Sequence, residues 1–186
     1  MKKFMLACCL TLLLNDCTSL LPRQQATTIS QWGSFESARS TFDHIPTGAA
    51  TTDDLKKLGL DPFGNQNVII LNYSDLARRL LPTANLPADY LDPALSKCLA
   101  ERELCYAYEI DIKHTDRNRI GSFWLDFFNF HRTTDITGWH FNALFVIQGQ
   151  KVVYKLWSGQ PVIHEVEEER KPLGPLQGIG ESNIRF

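Results

Sequence analysis

The sequence predicts an α+β fold in which N-terminal helices pack over one face of a four-stranded antiparallel meander sheet. In the first half of the folded part, apolar residues recur at the spacing of helices. In the second half they alternate with polar residues, as in strands. The connections between the predicted strands are too short for parallel crossovers, so neighbouring strands are expected to be antiparallel. Helices followed by a meander are typical of α+β layer architectures.

Four short helices are predicted before the sheet from their capping residues. The first extends from about Phe35 to His44, and its apolar side chains share one face. The second has an acidic start and a basic end, which both suit the helix dipole. The predicted N-caps of the four helices are Ser34, Thr52, Ser74 and Asp92. The run Asn67 to Leu71 fits a strand or an extended segment.

Four strands are predicted after the last helix. They cover Cys105 to Ile112 and residues 121–132, 138–148 and 151–159. Gln148-Gly149-Gln150 is a tight hairpin signal between the last two strands. Alternation along the third strand places one apolar set on a single side: Trp139, Phe141, Ala143, Phe145 and Ile147.

The chain of 186 residues divides into four predicted parts. Residues 1–16 are a signal peptide, 17–33 a lipidated polar tether, 34–170 a single α+β domain and 171–186 a flexible C-terminal tail. Apolar residues make up 44% and charged residues 22%, which are ordinary values for a globular domain. The net charge of −2 predicts no nucleic-acid partner, because phosphate binding requires a clustered basic face.

The N-terminus has the pattern of a secretory signal. Met1-Lys2-Lys3 is basic, and the eleven residues from Phe4 to Leu14 are almost wholly apolar. Such a run is too short to span a bilayer, which takes about 20 helical residues. The sequence therefore predicts export, without a transmembrane helix here.

The end of this leader, "LLLNDC", resembles the lipobox of bacterial lipoproteins. That motif has a Leu three residues before the Cys that is acylated, and Leu14 and Cys17 match these positions. Asp16 stands where the family prefers a small residue. The resemblance implies lipidation of Cys17 and, because Thr18 is not acidic, sorting to the periplasmic side of the outer membrane. An ordinary cleaved signal, leaving a soluble periplasmic protein, and an uncleaved apolar N-terminus are the alternatives.

Two cysteines, Cys98 and Cys105, belong to the folded part. An oxidising periplasm favours a disulfide between them. On one continuous helix their Cα atoms would stand about 10.5 Å apart, whereas a disulfide requires less than about 7 Å, so the chain has to turn between them. The alternative, a redox-active or nucleophilic thiol, lacks the C-x-x-C spacing and an adjacent activating histidine.

The predicted second strand, residues 121–132, is aromatic on both sides. Exposing either side to water costs about 25 cal/mol per Å² of apolar surface, so both need a cover. One side carries Trp124, Phe128 and Phe130, and the other carries Phe123, Leu125 and Phe127. The cover is either the rest of the domain or another protein. The residues predicted to form a binding surface are Trp124, Phe128, Phe130, Trp139 and Trp157.

A further resemblance rests on the stretch "TGAATTDDLKKLGLDP", residues 47–62. It supplies Gly48 and a Thr before a helix that ends in Leu58-Gly59, between a lipobox-like start and an antiparallel meander. In this order the chain resembles the small outer-membrane lipoproteins of the SmpA/OmlA (BamE-like) type. A segment from about Phe63 to Leu104 and a fourth strand are additions to that pattern. The resemblance implies a two-helix-on-sheet fold that binds partners in the envelope.

Signatures of an enzyme are poorly represented, since the chain has no G-x-S-x-G elbow and no Gly-rich phosphate loop. One enzyme alternative is a periplasmic hydrolase or metal-dependent enzyme in which His131 and His140 face each other across a predicted hairpin, beside Asp126 and Asp135. A second alternative is an inhibitor of an envelope hydrolase that presents a loop at Thr115 to Ile120. The sequence favours a non-enzymatic envelope lipoprotein without a cofactor or metal, which acts as a protein-binding or assembly factor.

Overall fold

A computed structural model describes residues 21–27, 30, 32–81, 91–174 and 176. The predicted signal peptide, the lipidation residue Cys17, and residues 177–186 of the predicted tail lie outside the described residues. The elements are β1 (Arg23–Thr27), α1 (Phe35–Asp43), α2 (Thr52–Lys57), β2 (Val68–Asn72), α3 (Tyr73–Leu80), α4 (Pro93–Ala100), a 3-10 turn (Arg102–Leu104), β3 (Cys105–Ile120), α5 (Phe123–Phe127), β4 (His131–Gln148) and β5 (Lys151–Arg170). Within these residues, none of the helices has both the length and the apolar character needed to cross a membrane.

The predicted α+β class is confirmed, but the described residues form five strands rather than the predicted four. The strand order is β1-β3-β4-β5, and β2 also pairs with β3. The β2 strand runs antiparallel to β3, with Val68 opposite Ile110. The added strand, β1, lies inside the segment predicted as a polar tether. Its polar side chains carry no apolar alternation, and it is held by backbone pairing to β3.

The predicted second strand of the meander is wrong. Residues 121–132 form a turn and the short helix α5 between β3 and β4 instead. Gly121, with a φ of +104°, ends β3, and Asn129, with a φ of +56°, ends the helix. Aromatic residues are common in strands, but the positive φ values at both ends prevent a straight extended path. The next strand, β4, begins seven residues earlier than predicted, at His131 instead of position 138.

Helix caps follow the sequence closely. The prediction is confirmed for Ser34 and for Asp92, whose side chains accept hydrogen bonds from the first helical turn. The cap of α2 is Thr51 rather than Thr52, because its hydroxyl and the Asp54 carboxylate each accept a hydrogen bond from the other residue's backbone N–H. The cap of α3 is Asn72 rather than Ser74, since its amide oxygen accepts from two successive backbone N–H groups.

The chain divides into two compact units. The unit that we call the core unit comprises Thr27–His114 and Trp139–Val162. The unit that we call the aromatic unit comprises the described residues of Met1–Ala26, Thr115–Gly138 and Ile163–Phe186. Strands β3, β4 and β5 contribute residues to both units.

The core unit buries both faces of β4. One face carries Phe141, Ala143, Phe145 and Ile147, the side predicted from alternation, and it packs with α1 and α2. The other face carries Leu144 and Val146, which share a second cluster with residues of α3 and α4. Helices therefore cover both faces of the sheet here, whereas the sequence predicted helices over one face. Two buried faces explain why β4 is continuously apolar from Ala143 to Ile147.

Cys98 and Cys105 are joined as a disulfide in the core unit, with Cα atoms 5.1 Å apart. As predicted, the chain turns between them: α4 ends at Ala100, and a 3-10 turn precedes the start of β3 at Cys105. Both cysteines are buried in the second apolar cluster. The bridge therefore ties α4 to the sheet.

Candidate functional site

The aromatic unit has little apolar core of its own. Among its described residues, the buried apolar side chains are Ile136 and Ile163. Most of its large apolar side chains are exposed instead, including Val166 and all those of the β3–β4 connection except Phe123, which is half-buried. A compact unit that buries so few of its large apolar side chains leaves an unusual amount of apolar surface in water.

The helix α5 and the three residues that follow it carry five of the nine large apolar side chains that are exposed among the described residues of this unit. We define the aromatic cluster as Phe123, Trp124, Leu125, Phe127, Phe128 and Phe130. The Trp124 side chain is 49% exposed, that of Phe127 66% and that of Phe128 46%. They also contact one another, since the Trp124 and Phe128 rings stack with centroids 6.2 Å apart and the Phe127 and Phe128 rings meet edge to face at 5.2 Å. The rings of the cluster therefore contact one another while much of their surface remains exposed to solvent.

The backbone of this connection is satisfied internally. The N–H of Phe128 donates to the carbonyl of Trp124 at 3.0 Å, and the N–H of Phe130 donates to the carbonyl of Leu125 at 2.9 Å. The N–H of Lys171, just after β5, donates to the carbonyl of Phe130 at 2.8 Å. The first two bonds hold the connection together locally, and the third ties it to the chain just after β5.

One buried carboxylate, that of Asp126, anchors α5 to the neighbouring strands. Asp126 is the sole charged residue between Gly121 and Phe130, and it is only 6% exposed. Its Oδ1 atom lies 3.1 Å from Nη1 of Arg119 on β3 and 3.2 Å from Nε of Arg132 on β4. A buried carboxylate requires such partners, because an unpaired charge in this position is costly. The ion pair turns the helix's one charge inward and leaves the aromatic side chains outward.

Charged side chains continue from this anchor along the strands. Arg132 also contacts Glu169 at 3.3 Å, and Glu169 contacts Lys171 at 3.0 Å. The Lys171 ammonium, by hydrogen bond and then by charge, lowers the pKa of Glu169. The pKa of Glu168 is lowered mainly by its hydrogen bond with Arg170 and next by that with His131. Positive and negative side chains are thus paired with one another in this part of the sheet.

The five residues predicted as a binding surface fall into both units. Trp124, Phe128 and Phe130 belong to the aromatic unit, and Trp139 and Trp157 belong to the core unit. Trp157 stacks on Phe141 with ring centroids 6.1 Å apart, and the Arg39 guanidinium lies 3.9 Å from the centre of its ring.

Trp139 packs against the first apolar cluster and stacks on His114. Both tryptophans that were predicted for the surface but lie in the core unit therefore have structural partners. The strongest candidate site is the aromatic cluster.

The predicted pairing of His131 with His140 is wrong. Both residues lie on β4, nine positions apart along one strand, rather than opposite each other on two strands. The Nε2 atom of His131 lies 2.6 Å from Glu168, and that of His140 lies 2.6 Å from Asp111. Across the described ranges, no group of three or more His, Cys, Asp or Glu side chains is arranged to hold a metal ion.

The prediction of a protruding loop at Thr115 to Ile120, which the inhibitor alternative requires, is also wrong. Residues Thr115 to Ile120 belong to β3 and pair within the sheet. The connection that follows them, with α5, takes the place of that loop.

Sequence reasoning missed one buried polar network in the core unit. Glu109 on β3 is 5% exposed, and it accepts hydrogen bonds from Arg79 of α3 and, at 3.0 Å, from Nδ2 of Asn142. A signal was present, because alternation puts Glu109 on the same side of β3 as Cys105 and Ala107. A carboxylate on that apolar side needs a cationic partner, and Arg79 provides it.

No protein-family model, no curated protein and no solved structure matches the chain. The resemblance to SmpA/OmlA lipoproteins therefore stays a prediction from the sequence.

Proposed function

We propose that the protein is a non-enzymatic envelope lipoprotein, anchored through Cys17 at the periplasmic side of the outer membrane, that binds a protein partner as a binding or assembly factor. The partner-binding surface is the aromatic cluster on α5. Trp139 and Trp157 are not needed for this surface, since their rings pack within the core unit.

The observation that carries the proposal is the exposure of the aromatic cluster on a fixed scaffold. Exposed apolar area of this kind is unfavourable in water by about 25 cal/mol per Å² and is recovered when a partner covers it. Trp and other aromatic residues dominate binding energy at protein interfaces, because they bury a large area with few rotatable bonds. The Asp126 anchor supports this function, since a surface held in place before binding loses less entropy.

The compartment is supported by two independent features of the chain. The basic and apolar start followed by Cys17 has the pattern of a lipoprotein leader. The disulfide between Cys98 and Cys105 suits the oxidising periplasm and is uncommon in the reducing cytosol.

The test is an affinity capture from envelope fractions with the full chain and a matched control. Trp124→Ala with Phe128→Ala is expected to reduce recovery of the partner at least about tenfold, the scale of an interface hot spot. The control is Phe63→Ala, because Phe63 is an exposed Phe of the core unit, at 86% exposure. Equal recovery by the double variant and the control would contradict the proposed surface.

The anchor is tested separately. Mass spectrometry of protein from its native host is expected to find an acylated N-terminal Cys17, and Cys17→Ser is expected to leave the membrane fraction. An unmodified Cys17 in protein that still fractionates with membranes would contradict lipidation.

A further inference from the structure

A polar cavity of about 220 Å³ lies within the aromatic unit. Three arginines line it, Arg117 and Arg119 on β3 and Arg132 on β4. Glu167 and Glu169 of β5 line it as well. Three guanidinium groups and two carboxylates around one small space are an uncommon density of charge, and the proposed partner surface makes no use of the cavity.

The arginines retain hydrogen-bonding capacity toward a ligand. A guanidinium has five N–H donors in a fixed fork. Within the described residues, Arg117 contacts Glu167 through Nη1 alone, at 3.5 Å, which is longer than a good charged hydrogen bond. Arg119 uses Nη1 on Asp126, whereas Arg132 uses all three guanidinium nitrogens, on Asp126, Asn129 and Glu169. Donors for a bound anion therefore remain mainly on Arg117 and Arg119, and arginine forks match the geometry of phosphate oxygens.

The two glutamates restrict which anion fits. A ligand with negative charge alone would meet the carboxylates of Glu167 and Glu169 as well as the guanidinium groups. A zwitterion that carries a phosphate and a primary ammonium satisfies both sets, because its N–H groups donate to the carboxylates. The cavity thus matches a phosphate and an amine a short distance apart.

The reach of the chain indicates where such a ligand comes from. Pro22 and Gln24, at the start of β1, also line the cavity. Cys17 is five residues before Pro22, so the intervening chain spans at most about 17 Å. If Cys17 is acylated, as the proposed function requires, the cavity is held close to the lipid headgroup layer.

We infer that this cavity binds the phosphoethanolamine headgroup of a membrane phospholipid, with the arginines on the phosphate and the glutamates on the ammonium. The location rests on the proposed function, whereas the chemistry of the cavity does not. The inference goes beyond partner binding because it assigns a lipid contact to residues of the aromatic unit that are not part of the aromatic cluster.

The test uses the full chain with Cys17→Ser, so that an acyl anchor does not contribute to membrane binding. Co-sedimentation is measured with phosphatidylcholine vesicles that contain phosphatidylethanolamine or phosphatidylglycerol. Phosphatidylethanolamine is expected to give the tightest binding, because its ammonium is both positively charged and a hydrogen-bond donor. The quaternary amine of phosphatidylcholine has the charge but no N–H donor, and the glycerol headgroup of phosphatidylglycerol has hydroxyl donors but no positive charge. Binding no tighter than to phosphatidylcholine alone would overturn the inference.

Two substitutions separate the two halves of the ligand. Arg117→Gln is expected to weaken binding to phosphatidylethanolamine vesicles at least about tenfold, the scale of one lost charged hydrogen bond. Glu167→Gln is expected to weaken binding to phosphatidylethanolamine but to strengthen binding to phosphatidylglycerol. Neither residue contacts Asp126, so α5 keeps its anchor.

Arg78→Gln is the matched control, because Arg78 is an exposed arginine paired with Asp75 in the core unit. Equal effects of Arg117→Gln and Arg78→Gln would overturn the site.

Soluble phosphoethanolamine distinguishes a lipid from a free ligand. It is expected to bind the same chain more weakly than the vesicles do, since they present the headgroup many times. Equal or tighter binding of the soluble compound would overturn the lipid source. The outcomes are independent of those of the proposed function. An unacylated Cys17 together with normal vesicle binding would contradict the lipid anchor but support the headgroup site. An acylated Cys17 together with no vesicle binding by the Cys17→Ser chain would contradict the headgroup site alone.

Discussion

Gly159 shows how a single residue fixes the path of β5 in the core unit. Its φ is +152°, and a Cβ atom built there would overlap the carbonyl oxygen of His140 and lie 3.1 Å from that carbonyl carbon. The obstacle is backbone, which cannot move aside as a flexible side chain can. Glycine is therefore required at this position on steric grounds.

Gly159→Ala is expected to destabilise the protein by about 2 kcal/mol or more, from steric overlap and backbone strain together. Urea unfolding measures the loss. Gly33→Ala is the control, because a Cβ at Gly33 meets nothing within 4 Å and is expected to be nearly neutral. Similar unfolding free energies for the two variants would show that β5 does not pass His140 as closely as described.

Asp54 gives the fold a pH-dependent contribution. Hydrogen bonds from the Thr51 hydroxyl and from Lys57 lower the pKa of Asp54 from its ordinary value of 3.8 to about 2. Because the folded-state pKa is depressed, the stabilisation is complete above about pH 4 and is lost as the pH falls toward about 2.

Asp54→Asn is therefore expected to lower the urea midpoint at pH 5, with the difference from the unmodified chain shrinking as the pH falls to about 2. Thr51→Val removes the hydroxyl that donates to Asp54, and the change in urea midpoint between pH 5 and pH 2 is expected to be smaller in this variant than in the unmodified chain. A difference between Asp54→Asn and the unmodified chain that stays constant from pH 5 to pH 2 would contradict this assignment.

At the scale of elements, the ion pairs of Asp126 hold α5 in place. Asp126→Ala leaves Arg119 and Arg132 without their shared carboxylate and is expected to destabilise the α5 region by about 2 kcal/mol, since the arginines are partly exposed and water compensates in part. Hydrogen exchange of residues 122–130 is expected to accelerate.

The control for Asp126→Ala is Asp43→Ala, which removes an exposed pair with Arg39 and is expected to leave that exchange unchanged. Unaltered protection of residues 122–130 in Asp126→Ala would show that the aromatic cluster is held by other contacts.

The disulfide is the second device that ties one element to another. Cys98 and Cys105 are seven positions apart, and closing so short a loop is worth about 2.5 kcal/mol in the chain-entropy account. The double variant Cys98→Ser and Cys105→Ser is expected to lose about that much unfolding free energy. In the oxidised unmodified chain, added reductant is expected to cause a loss of similar size. No change with reductant would indicate that the thiols are unpaired in solution.

Elements that are determined by residues a few positions away could be predicted from the sequence. Elements that depend on backbone pairing or contacts with residues distant in the sequence could not. Ser34, Asp92 and the turn at Gly149 act within a few residues, so their helices and hairpin were placed correctly. The β1 strand is polar and is defined by pairing with a strand almost 100 residues away. The aromatic stretch has the composition of a strand, but the positive φ values at Gly121 and Asn129 interrupt an extended path, and the ion pairs of Asp126 hold the short helix between them.

The candidate site was predicted in part for the same reason. Trp124, Phe128 and Phe130 were singled out because a large aromatic set needs a cover, and they are exposed in the structure. Trp139 and Trp157 were included by residue type, whereas their ring partners are set by tertiary packing. The cavity residues carried no sequence signal, because Arg117, Arg132 and Glu167 are brought together by the pairing of three strands.

At the scale of the whole molecule, the two units differ in how they use apolar residues. The core unit buries them on both faces of its sheet, and its clusters include the disulfide. The aromatic unit exposes them and fixes them with ion pairs instead. Under the proposed function, the core unit supplies stability and the aromatic unit supplies recognition, so substitutions in the aromatic cluster are expected to reduce binding with little effect on the main unfolding transition.

The most direct test of this account is site-specific photo-cross-linking in cells of the native host. A photoreactive side chain at position 127, in the exposed aromatic cluster, is expected to cross-link one discrete protein, and Trp124→Ala in the same chain is expected to abolish the product. The same group at position 63, which is a still more exposed Phe of the core unit, is expected to give no such product. A chain that cross-links nothing from position 127, or the same mixture from both positions, would contradict the claim that the aromatic cluster is a partner-binding surface.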